Sequence, residues 1–252
     1  MDQFFLLISL GIVGGMINAI AGGGGIILYP GLLAAGLSPL AANATASMVA
    51  LSGATTSTLG GSKQLKRIPK LYLWIAVPCL IGSMIGASFL VHTQPTTFEQ
   101  LAPWLVLSAV ILLALQSRIH RWLESQKQRR KLHWHTLPLI FTAGFGLAIY
   151  GGFFGVGYGL MMLAILGFTT LKDIHQMNIV KNFTGVAVSL VATIFFAKAG
   201  LLDWRAGMIM SIGAATGGYL GVHLSQKISA HLVHDLTVVI GVVITAVLLV
   251  KN

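Results

Sequence analysis

The sequence predicts an all-α polytopic membrane protein of about eight transmembrane helices, arranged as two four-helix repeats that each contain a glycine-rich helix break or re-entrant segment. Three observations carry that expectation. Hydrophobic residues fill 56% of the 252 positions and only 9% are charged. A soluble domain has about a quarter charged residues, so too few charges remain here to cover a water-facing surface. The apolar residues fall in runs close to the ~20 that one helical crossing needs, and the second half of the chain repeats the first.

The runs lie at 4–21, 43–61, 71–91, 101–117, 137–154, 177–197, 205–224 and 233–250. Lipid admits only helices and closed barrels, and these runs are too long for barrel strands. The opening "MDQFFLLISLGIVGGMINAIAGG" has no basic flank and carries Asp2. It therefore reads as a retained first span, not a cleaved signal. The segment after the second run holds Lys63, Lys66, Arg67 and Lys70; the one after the fourth holds Arg118, Arg121, Lys127, Arg129, Arg130 and Lys131 against Glu124. Counting eight crossings puts Lys198, Arg205 and Lys251 on that same side, with only Lys172 and Lys227 opposite and Lys181 inside a span. Both termini are therefore expected in the cytoplasm. The implied organisation is a first transmembrane repeat at 1–117, a basic cytoplasmic linker at 118–136 read as a solvated loop, with an amphipathic, lipid-touching helix at 118–131 as the alternative, and a second repeat at 137–252. The net charge of +10 is then a topology signal and not a nucleic-acid footprint, and part of it favours an anionic cargo. Cys79 is the only cysteine, which excludes an intrachain disulfide.

Laying the halves over one another places "AIAGGGGIILYPGLLAAG" on "GGFFGVGYGLMMLAILGF", with Gly23 on Gly155 and Gly25 on Gly157. Further on, "IGSMIGASF" meets "TGGYLGVHL", with Gly82 and Gly86 on Gly217 and Gly221. Four spans per half is an even number, so the halves are expected to share one orientation about an axis along the membrane normal. The glycine runs end the first span of each repeat. From Phe4 to Gly36 is too long for one crossing at about 1.5 Å per residue. Either the helix kinks there, or 26–37 is a short re-entrant segment. Irregular backbone at that depth must be buried in protein or line a wet cavity. A helix beginning after each break aims its positive end at the gap, and two such breaks facing each other form an anion site. The alternative is close packing of glycine-rich helices.

These segments resemble the sulfite exporter TauE/SafE-type family of anion permeases. The resemblance rests on "AGGGGIILYPGLLAAGLSPLAANATASMV", "GGFFGVGYGLMMLAILGFTTLKDIHQMNIVKNF" and "GLLDWRAGMIMSIGAATGGYLGVHL", and spans essentially the whole chain. It implies passage of a small sulfur-containing anion such as sulfite, sulfoacetate or another organosulfonate through the bacterial inner membrane. It leaves open the cargo, the direction, the coupling ion and whether the protein forms a homo-oligomer.

The residues offer a site of their own. Asn178, Lys181, Asn182 and Gly185 share one face of the sixth span, presenting an ammonium and two amides to an oxyanion. A charge within a span usually faces a cavity; the alternative is that Lys181 snorkels to the interface. The matching stretch of the first half, "NATASMVALSG", has no lysine but supplies Asn43, Thr45 and Ser47. Asn43 either lines the same cavity or caps its helix. Gly23, Gly24, Gly25, Gly155 and Gly157 are expected to line the cargo site through their backbone. Tyr158 is either a hydroxyl donor to the anion or an interfacial tyrosine. His175 is a candidate for proton coupling. Asp173 and Asp203 read as caps, and the glycine pairs 82/86 and 217/221 as packing surfaces.

No enzyme is expected: there is no H-E-x-x-H motif, no mid-span aspartate pair and no base beside a nucleophile. The glycine runs are not dinucleotide loops, which need a βαβ unit. No metal or cofactor is expected, and the partners are the anion and the lipid bilayer. A secondary transporter fits best, with a passive channel and a membrane scaffold or sensor as the alternatives.

Overall fold

A computed structural model describes residues 2–126, 136–169, 171 and 173–224. Its helices are α1 (Asp2–Ala21), α2 (Gly25–Ala34), α3 (Pro39–Gly60), the short turns α4 (Ser62–Leu65) and α5 (Lys70–Leu73), α6 (Ala76–His92), α7 (Pro95–Gln126), α8 (Thr136–Phe153), α9 (Tyr158–Leu166), α10 (Ile174–Lys198) and α11 (Trp204–Leu224). Seven of the eight expected runs coincide with these helices. The eighth, 233–250, lies outside the described residues, as do Lys127, Arg129, Arg130, Lys131, Lys172, Lys227 and Lys251.

Helix ends follow local chemistry. Ser38 caps α3 ahead of Pro39, Asp173 accepts from the His175 amide at 3.0 Å, and Asp203 accepts from the Ala206 amide at 2.8 Å, each satisfying an orphan donor. The start of the basic linker is not a loop. The chain stays helical to Gln126 as the end of α7.

The burial pattern is that of a membrane protein. Phe89, Trp104, Leu139 and Ile212 are 60–65% exposed, while Asn43, Thr45, Ser57, Ser83, Lys181, Asn182 and Thr184 are buried. Among the described residues, three stretches are long and apolar enough to cross a membrane: Gln3–Ala21, Lys70–His92 and Ile174–Lys198. Helices α3 and α11 are as long but richer in small and hydroxyl residues, because they face each other. Ser52 donates to Ser211 O at 3.1 Å and Ser57 to Gly218 O at 3.1 Å.

The glycine segment is a re-entrant hairpin. Helix α2 runs back along α1, with Leu28 beside Gly14 and Gly31 beside Leu10, and Gln3 donates to Ala35 O at 2.7 Å. The pair thus begins and ends at one end of the bundle. Helices α8 and α9 form the counterpart: the Tyr158 ring packs on Gly151, and Ile140 shares a hydrophobic cluster with Leu166 and Leu171.

This return decides the symmetry. Helix α3 runs parallel to α11, since Thr45 meets Asp203, Gly53 meets Ala214 and Ser57 meets Gly218. It runs antiparallel to its own equivalent α10, since Ala54 meets Gly185 and Gly61 meets Ile179. The halves are therefore inverted, related by a pseudo-two-fold axis in the membrane plane. The expectation of like-oriented halves is overturned because the first span and the glycine segment make no net crossing. Consequently the N-terminus lies at the end opposite the 62–70 segment, together with Lys198 and Arg205, and not beside it as an even count implied. The two halves also interlock, α1 packing on α11 and α8 on α6. The paired glycines allow this. Gly217 meets Ile12 and Gly221 meets Met16, while Gly82 meets Phe145 and Gly86 meets Ile149.

A labelling experiment tests the inversion. In a Cys79→Ser background, an impermeant maleimide reaches Gln3→Cys in sealed right-side-out membranes, but reaches Lys66→Cys only after permeabilisation. Labelling of both positions from one face would overturn the topology.

Candidate functional site

The two hairpins enter from opposite ends, and their tips meet inside the bundle. Gly22 lies against Gly159 and Gly25 against Val156. Gly22 (φ +83°) and Gly157 (φ +85°) hold left-handed backbone, and a Cβ on Gly22 would sit 2.7 Å from the Gly159 carbonyl carbon. Only glycine satisfies both demands. Helices α2 and α9 start at this junction, so the positive ends of two helix dipoles converge there.

Between the tips lies a cavity of ≈ 60 Å³, measured as room for the centre of a water-sized sphere. One water takes roughly 10–15 Å³ on that measure, so the space suits a few waters or one compact ion. Gly22, Gly25, Gly155, Gly157 and Gly159 border it, and a glycine has only backbone to present. Across from them, Ala46, Ser47, Ala50 and Ala54 of α3 and Lys181, Asn182, Gly185 and Ser189 of α10 form the wall. These residues pair at an offset of 135, while Val188, also in the α10 wall, has no lining counterpart on α3. The cavity therefore lies on the pseudo-two-fold axis, with charge from only one repeat.

Lys181 is 2% exposed. Its Nζ donates to Asn178 Oδ1 at 3.0 Å and to Asn18 O at 2.5 Å. The Asn18 carbonyl belongs to the last turn of α1, where a cation is stabilised by the helix's negative end. Among the described residues, no carboxylate pairs with this ammonium. The snorkelling alternative is excluded, since the side chain turns inward. Asn182 is also 2% exposed, and among the described residues neither atom of its amide has a hydrogen-bond partner.

Asn43, which corresponds to Asn178 at the same offset, donates to Phe153 O at 2.9 Å. Phe153 is the last residue of α8, so Asn43 clamps the second hairpin much as Lys181 clamps the first. It is not the cap of α3, which is Ser38. Thr45 lies away from the cavity and accepts from the Asp203 amide at 3.0 Å, fixing the α10–α11 turn. Tyr158 borders the cavity, but its hydroxyl turns to Cys79 Sγ at 3.8 Å, and it is neither interfacial nor free for an anion. His175 sits at the start of α10, outside the lining. Gly23 and Gly24 build the tip, Gly24 packing on Asn18, without lining the space. Sequence reasoning missed Asn18, Gly22, Gly159 and Ser189. Asn18, the lone amide just before the glycine run, was the signal available. Among the described residues, no group of three His, Cys, Asp or Glu gathers to hold a metal.

Comparison with known proteins agrees with this architecture's membrane character. The sulfite exporter TauE/SafE family matches residues 7–249. The probable membrane transporter protein YfcA of Escherichia coli (strain K12) is 29% identical over 249 residues, covering 97% of this chain and 88% of its own. A probable membrane transporter protein of Haemophilus influenzae is 28% identical over 253 residues, covering 97% and 94%. The probable membrane transporter protein YunE of Bacillus subtilis (strain 168) is 23% identical over 247 residues, covering 89% of each chain. No solved structure matches significantly.

The tip contact predicts a stability order. Gly36 has φ +92°, and a Cβ there would meet nothing within 4 Å, so Gly36→Ala bears only backbone strain of about 1–2 kcal/mol. Gly22→Ala adds steric overlap with Gly159 and lowers the melting temperature in detergent by several degrees more. Equal shifts for the two variants would mean that the tips are not in contact.

Proposed function

Because this chain belongs to the sulfite exporter TauE/SafE family, a family of membrane transporters and not of enzymes, we propose that it is a secondary transporter. Its cargo is a small sulfur-containing anion, carried across the bacterial inner membrane. The observation that supports this most is the buried Lys181 ammonium, unpaired with any described carboxylate, in a cavity between two helix N-termini. A charge inside a membrane protein is costly without a counter-charge, and an anionic cargo supplies one. Two convergent positive helix ends suit oxyanion oxygens. The size of the cavity favours sulfite over bulkier sulfoacetate or other organosulfonates.

Inverted repeats with the site at their interface suit alternating exposure by rocking of one half against the other. The basic 62–70 segment then faces the cytoplasm and the N-terminus faces out. Proton coupling through His175 gains no support, because that residue does not border the cavity.

Radiolabelled sulfite uptake into proteoliposomes tests the reading. Loss of a charge-assisted hydrogen bond is worth about 1.5–3 kcal/mol, so Lys181→Ala should lower initial uptake at least about tenfold, while Lys181→Arg keeps part of it. Saturation with sulfite separates a carrier from a passive channel. Undiminished uptake by Lys181→Ala would overturn the site.

A further inference from the structure

Asn182 poses a requirement that a generic anion does not meet. Its amide is buried in the cavity wall, with Nδ2 and Oδ1 both unpartnered among the described residues. Such a group is satisfied only by a partner that offers an acceptor to Nδ2 and a hydrogen to Oδ1. Turning the amide over exchanges the two atoms and leaves the requirement unchanged. The neighbouring Lys181 ammonium and the N-terminal ends of α2 and α9 offer hydrogens only, and Oδ1 receives none of them. A sulfonate or fully deprotonated oxyanion offers acceptors only, and would strand Oδ1 as well.

An oxyanion that retains one acidic hydroxyl meets every demand. One oxygen accepts from Lys181, another accepts from Asn182 Nδ2, and its O–H donates to Asn182 Oδ1. Its single negative charge also matches the single ammonium. We infer that Asn182 selects monoanions bearing an acidic hydroxyl, of which hydrogensulfite is the sulfur-containing member. This rests on the reading of the cavity as the cargo site. The proton stays bonded to the cargo oxygen and crosses with it, with no transfer to the protein.

Isothermal titration of the purified full-length protein with four small anions tests this. Hydrogensulfite, at a pH where it predominates over sulfite, and bicarbonate each carry a hydroxyl; methanesulfonate and nitrate carry none. The wild type is expected to bind the first two at least about tenfold more tightly, since the others leave a buried acceptor unpaired. Asn182→Leu should erase that preference. Asn182→Ser should retain it, because a hydroxyl both donates and accepts. Equal wild-type affinities for the two pairs would overturn selection by Asn182 and mean that water satisfies its amide, while loss of all binding in Lys181→Ala would still uphold the anion site. Binding of all four anions that is unchanged in Lys181→Ala would overturn the site itself.

Discussion

A helix that stops inside a membrane exposes backbone carbonyls and amides that no lipid can satisfy. This molecule contains two such stops, and most of its architecture answers the need they create. The tips at Gly22 and Gly159 are pressed together, so the irregular backbone of each is covered by the other. The carbonyl ends of the broken helices are then met from across the pseudo-two-fold axis, Asn18 O by Lys181 and Phe153 O by Asn43. Their amide ends face inward to the cavity. The polar groups of the site thus follow from the same constraint that holds the hairpins in place.

Much of this was legible in one dimension. Seven of the apolar runs, the two glycine breaks and the pairs 82/86 and 217/221 fell where the helices, tips and close packing surfaces lie, because each depends on local composition or spacing. That Asn178, Lys181 and Asn182 share one face was readable from helical periodicity, but whether Lys181 turns inward or snorkels was not. The relative orientation of the halves was not. A returning hairpin and a crossing give the same hydropathy trace, and a single miscounted crossing reverses everything after it. Whether Gly31 lies beside Leu10 is a matter of tertiary packing, which no window of sequence reports. The same limit explains Thr45 and Tyr158. Their residue types suit an anion site, but Thr45 braces Asp203 and Tyr158 turns to Cys79, both partners distant in sequence.

The frame is symmetric and the chemistry is not. Ala46 stands where a second lysine would mirror Lys181, and Ser47 where a second asparagine would mirror Asn182. Two ammonium groups on one cavity of ≈ 60 Å³ would repel strongly in a medium of low dielectric, and would need two compensating charges. Keeping one cation on a two-fold frame matches a singly charged occupant while leaving both hairpins equally able to line the space with backbone.

Lys181 therefore serves two partners at once. Its ammonium has three hydrogens; two hold Asn178 and the Asn18 carbonyl at the tip of the first hairpin. An anion drawn to Nζ takes the third, so the cavity and the grip on α1 meet at one atom. Asn43 holds the second hairpin with a neutral amide and has no comparable link to charge. Of the two tips, the first is the one held by a charged group of the cavity wall. An otherwise symmetric pair of hairpins is thereby made unequal by a single side chain.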